Sequence, residues 1–151
     1  MRQFSRRATL ALGAGSAALT IVGWSGRASA AAKEAAAEIA KFTGGKIAEQ
    51  GKISIELPEI AENGNTVPLA VSVDVPMTAD NYVSELLVVA EGNPNPGVAT
   101  FHFSPMSGKA EASTRIRLAT TQNIIVVAKT SGGQFFTGQK LVKVTIGGCG
   151  G

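Results

Sequence analysis

Cysteine is almost absent from this 151-residue chain: Cys149 is the only one. A single thiol excludes an internal disulfide, the usual brace of small domains in oxidising compartments. Histidine, tyrosine and tryptophan also occur once each, as His102, Tyr82 and Trp24. One histidine and one cysteine leave neither a Ser-His-Asp nor a Cys-His arrangement with candidates to spare. A zinc site needs about three protein ligands, more than His102 and Cys149 can supply. In Thr100-Phe101-His102-Phe103-Ser104 the alternation of a strand sets His102 opposite the two phenylalanine rings, an outward position rather than that of a catalytic base. No glycine-rich loop precedes a helix, so there is no phosphate cradle. A hydrophobic run long enough to span a membrane is lacking too.

The first thirty residues do not belong with the rest. "MRQFSRRATLALGAGSAALTIVGWSGRASA" joins a basic start, a weakly apolar stretch and a small-residue Ala28-Ser29-Ala30 end, the layout of an export signal. The setting Ser5-Arg6-Arg7-Ala8-Thr9-Leu10 resembles the twin-arginine export motif, with Thr9 where that motif usually has phenylalanine. Residues 1–30 are expected to be removed, leaving 121 residues from Ala31 outside the cytoplasm, in the periplasm. The full chain has 14 Lys and Arg against 11 Asp and Glu. Arg2, Arg6, Arg7 and Arg27 leave with the signal, so 10 basic residues face 11 acidic ones, a net charge of about −1 with His102 neutral. The basic character belongs to the signal, and a nucleic-acid partner, which needs a basic face, is excluded.

From Ala31, "AAKEAAAEIAKF" is rich in alanine, with Lys and Glu at i,i+3 and i,i+4, and Thr43-Gly44-Gly45 supplies a stop; one N-terminal helix follows. A second helical turn is weakly signalled over 47–50. Beyond Gly51 the pattern has period two. Ile53, Ile55 and Leu57 alternate with polar residues, as do the valines of 67–75, and further runs cover 82–90, 98–103, 113–119, 124–129 and 140–146. Their separators carry turn residues, among them Glu62-Asn63-Gly64-Asn65 and Ser131-Gly132-Gly133. About seven short strands with no helix between them predict an all-β fold, an immunoglobulin-like antiparallel β-sandwich with one short N-terminal helix and a flexible C-terminal tail. The domains expected are the signal (1–30), a helical segment (31–50), the sandwich (51–146) and an arm (147–151).

That arm is Gly147-Gly148-Cys149-Gly150-Gly151. Glycine loses more conformational freedom on ordering than any other residue, so the pairs Gly147-Gly148 and Gly150-Gly151 predict a slim, mobile tether. Extended chain advances about 3.3–3.6 Å per residue, which lets the sulfur range on the order of 10 Å from Ile146. Nothing near in sequence lowers the thiol pKa below its ordinary value of about 8.5, so activation is expected from a partner's pocket. An unpaired thiol in an exported protein has another reading: a structural or interaction β-sandwich protein whose Cys149 makes an interchain disulfide.

The twin-arginine-like start, the β-rich middle with Asp80-Asn81-Tyr82-Val83 and Asn93-Pro94-Asn95-Pro96-Gly97-Val98-Ala99-Thr100-Phe101, and the terminal Gly147–Gly151 segment together resemble the SoxY family, sulfur carriers of the bacterial Sox thiosulfate-oxidation pathway. The resemblance implies a heterodimer with the small β-protein SoxZ and covalent attachment of substrate to Cys149. It implies three transient partners: a haem enzyme that couples thiosulfate to the thiol, a dimanganese hydrolase that releases sulfate, and a sulfane dehydrogenase. It implies no catalytic residue, cofactor or metal in the chain itself. Edman sequencing of the exported protein should begin at Ala31, and the mature protein should lack tryptophan fluorescence, because Trp24 leaves with the signal.

Overall fold

The computed structural model describes residues 25–148. Helix α1 spans Ser25–Thr43, starting six residues earlier than the expected Ala31. It stops where the sequence predicts: Gly44 and Gly45 take φ of 62° and 78°, and the Gly45 N–H donates to the Ala40 carbonyl at 3.0 Å. Positive φ at these positions is open to glycine at no steric cost, and it turns the chain out of the helix.

Nine strands follow: β1 (Glu49–Gln50), β2 (Ile53–Glu56), β3 (Ile60–Ala61), β4 (Val67–Val73), β5 (Val83–Ala90), β6 (Gly97–His102), β7 (Ala110–Ile116), β8 (Gln122–Thr130) and β9 (Phe135–Val144). The larger sheet runs β1-β9-β8-β5-β6, with β3 also on β9; the smaller runs β2-β4-β7. The expected two-sheet sandwich is the fold. All pairings between the long strands are antiparallel, but β1 and β3 lie parallel to β9, short additions that no alternation announces.

The expected turn over 47–50 is not helical. Glu49 and Gln50 pair with Phe136 and Thr137, and the Gly51 N–H donates to the Thr137 carbonyl at 3.1 Å, so the open edge of β9 overrides a weak helical propensity. Strand β9 begins at Phe135, five residues before the expected Lys140. Gly138 interrupts its alternation because a Cβ there would press on Ile53, 3.2 Å from that residue's Cβ. The gap lets β2 lie close against β9.

Between the sheets lies the main core, with Leu69, Leu86, Val88, Leu118, Ile124 and Val126 each no more than 1% exposed. Strands β5 and β8 carry unbroken apolar runs, Leu86–Ala90 and Ile124–Ala128, which is the pattern of strands covered on both faces. The outer cover is α1: Ala35, Ile39 and Phe42 pack with Leu87, Val89 and Ile125, and the Phe42 ring meets Phe135 edge to face at 6.1 Å. No helix among the described residues is long and apolar enough to cross a membrane. In denaturant titrations, Leu86→Ala should lower unfolding stability by about 2–5 kcal/mol through lost burial and a cavity. His102→Ala, at an exposed position, should stay within about 0.5 kcal/mol.

Candidate functional site at the root of the C-terminal tail

Of the residues singled out from sequence, Gly147, Gly148 and His102 are described. Arg6, Arg7, Cys149, Gly150 and Gly151 lie outside the described residues. His102 is exposed on β6, while Phe101 and Phe103 pack against the core, as alternation predicts. A surface hollow on the outer face of the small sheet is lined by Ser54, Glu56, Ser72, Glu111 and Ser113 among small residues. Among the described residues no three of His, Cys, Asp and Glu come together as a metal-ligand group.

What the structure builds instead is a seat for the tail. As β9 ends, the chain is strapped from both sides. On one side the Lys143 and Thr145 N–H groups donate to the carbonyls of Glu59 and Ala61 at 2.9 and 3.1 Å, and the Thr145 hydroxyl donates to the Glu62 carbonyl at 3.0 Å. On the other, the Val144 N–H donates to the Thr121 hydroxyl at 2.9 Å.

Three backbone bonds then close a triangle among segments remote in sequence. The Gly64 N–H donates to the Ile146 carbonyl at 2.8 Å, the Leu118 N–H to the Gly64 carbonyl at 2.8 Å, and the Gly148 N–H to the Leu118 carbonyl at 2.9 Å. Backbones this close leave no space for side chains. A Cβ on Gly64 would strike the Leu118 carbonyl oxygen and stand 2.7 Å from the Gly148 nitrogen. One on Gly148 would stand 2.8 Å from the Gly64 oxygen, and one on Gly147 would strike the Ala119 carbonyl oxygen. Gly64 and Gly148 are buried.

Gly147 and Gly148, the first residues of the expected tether, lie against backbone: without a Cβ, they reach carbonyls that any other residue would hold off. The sequence marks Gly64 as a turn residue only. Nothing local distinguishes it from any turn glycine, because its contacts are with residues 54 and 84 positions further along the chain.

The seat is held firm by Leu118, whose side chain is fully buried, and by a buried amide pair. Asn93 and Gln122 are 1% and 4% exposed. The Asn93 amide donates to the Arg117 carbonyl at 2.9 Å, while its oxygen accepts from the Ala119 N–H at 3.0 Å and from the Gln122 amide at 2.8 Å. Gln122 also donates to the Thr120 carbonyl at 3.0 Å and accepts from the Gly92 N–H at 2.7 Å. Two side chains thus satisfy and fix the backbone of the 117–122 loop, and none of the buried side-chain polar atoms among the described residues lacks a partner. In the sequence Asn93 stands in Asn93-Pro94-Asn95-Pro96, where nothing local marks it as buried.

The family model for the sulfur oxidation protein SoxY matches residues 39–149, a span that ends on Cys149. The chain belongs to the SoxY family. Among solved structures it is similar to the sulfur carrier protein SoxY from Chlorobium limicola f thiosulfatophilum, at 34% identity, TM-score 0.63, over 76% of this chain and 99% of that one. Superoxide reductases share the fold alone: that of Ignicoccus hospitalis (neelaredoxin) at 22% identity, TM-score 0.54, over 62% of this chain and 80% of that one, and that of Nanoarchaeum equitans at 12%, TM-score 0.53, over 64% and 100%. No curated protein matches at a significant level.

In this SoxY chain, Asn93→Ala should strand the Gln122 amide and the Ala119 N–H. Urea titration should show a loss of about 1–3 kcal/mol, the penalty for a buried polar group left unpaired.

Proposed function

We propose that this SoxY protein is a non-enzymatic covalent carrier of inorganic sulfur, holding thiosulfate-derived and sulfane intermediates on Cys149 and presenting them to the enzymes of periplasmic thiosulfate oxidation. The observation that carries the reading is the family match extending to the unique terminal thiol. The seat that the sandwich builds for the tail, up to one residue before that thiol, supports it.

The chemistry fixes what must come from elsewhere. Coupling the thiol to thiosulfate forms an S–S bond, releases one proton and yields two electrons, leaving Cys–S–S–SO3−. The electrons go to the haem of the coupling enzyme. Hydrolysis with one water at the dimanganese enzyme then releases sulfate and a proton and leaves the persulfide Cys–S–SH, which a sulfane dehydrogenase oxidises further. Heterodimerisation with SoxZ completes the carrier. Export by the twin-arginine route, carried by Arg6 and Arg7, places it with these partners.

Intact-mass measurement after incubation with thiosulfate and the haem enzyme should show the thiosulfonate adduct on the wild-type chain and none on Cys149→Ser. An adduct that survives that substitution overturns the assignment. So does a protein isolated wholly as a reduction-sensitive disulfide dimer that takes up no sulfur.

A further inference from the structure

We propose that Gly64, Gly147 and Gly148 form a clasp that fixes where Cys149 leaves the sandwich, which makes Gly64 a positioning residue for the thiol. The inference rests on the carrier reading and adds to it the place where the arm begins. The three bonds of the triangle are interdependent. Gly64 donates to Ile146 and accepts from Leu118, and Leu118 in turn accepts from Gly148, so opening one corner removes the geometry that aligns the other two. A methyl group at any of the three glycines collides with backbone, not with the far end of a pliant side chain. The Leu118 corner cannot retreat to make room, because its side chain is in the core with 0% exposure.

Chain connectivity sets the consequence. The Cys149 Cα follows that of Gly148 by about 3.8 Å, and two residues of the expected tether belong to the body, which takes about 7 Å from the distance over which the thiol is presented. An enzyme that accepts the cargo has to meet the end of the sandwich formed by the loops 62–65 and 117–121. The ordering of Gly147 and Gly148 is accomplished on folding, so less freedom is lost when the thiol enters a partner's cleft.

Two measurements on the full-length mature protein test the clasp. By NMR hydrogen exchange, the Gly148 and Leu118 amides of the wild type should exchange at least about tenfold more slowly than their intrinsic rates. In Gly64→Ala and Gly148→Ala, the Gly148 amide should return to within about twofold of its intrinsic rate. With a nitroxide attached to Cys149 as a mixed disulfide, the electron spin resonance lines of both variants should be narrower than those of the wild type. Gly97→Ala, where nothing stands within 4 Å of an added Cβ, should leave them unchanged. Gly148→Ala, beyond the last strand, keeps the test usable if Gly64→Ala does not fold.

A Gly148 amide at its intrinsic rate in the wild type overturns the proposal. So does a released amide with an unaltered label spectrum. Neither readout involves sulfur cargo, so a failure of the carrier reading shows separately, as a missing thiosulfate adduct on a normally clasped protein.

Discussion

The molecule turns on a closed triangle of backbone hydrogen bonds joining Gly64, Leu118 and the Ile146–Gly148 segment. Backbone groups brought out of water must find partners, and at the end of a sandwich neither sheet supplies them. Here three chain segments satisfy one another, and the contact is possible because two of its corners are glycine. The terminal segment is thereby joined to the folded body until one residue before the unique cysteine.

Much of the sandwich can be understood as support for that junction. The core holds Leu118, and the buried Asn93–Gln122 pair holds the backbone on either side of it. Strand β3, only two residues long, lies parallel to β9 and leads directly into the Gly64 loop. Helix α1 works on the other face, where it covers Leu87, Val89 and Ile125 and allows β5 and β8 to be apolar on both sides. Superoxide reductases share this architecture at 12–22% identity, and a fold by itself does not set a function.

The sequence and the structure agree most closely where the signal is local or periodic. Alternation located β2, β4, β5, β6 and β8 within a few residues, and Thr43-Gly44-Gly45 located the helix end. Agreement fails where distant backbone decides. Glu49 and Gln50 follow the edge of β9 instead of a weak helical preference, and the start of β9 was hidden by Gly138, whose absent side chain is explained only by Ile53 on another strand. Gly147 and Gly148 show the same limit at the C-terminal end: the close approach of their backbone to Ala119 and Gly64 leaves no trace in the neighbouring residues.

By itself the sequence determined the two-sheet class, the helix and its stop, the uniqueness of Cys149 and its position at the end of the chain, because composition and periodicity carry these directly. Only the tertiary structure decided that Gly64 meets Gly148, that Asn93 is a buried brace and that the tail is seated before it reaches the thiol. The reason is physical. Whether a glycine is loose or tightly packed depends on what stands where its Cβ would be, and here that is the backbone of residues some thirty to eighty positions away.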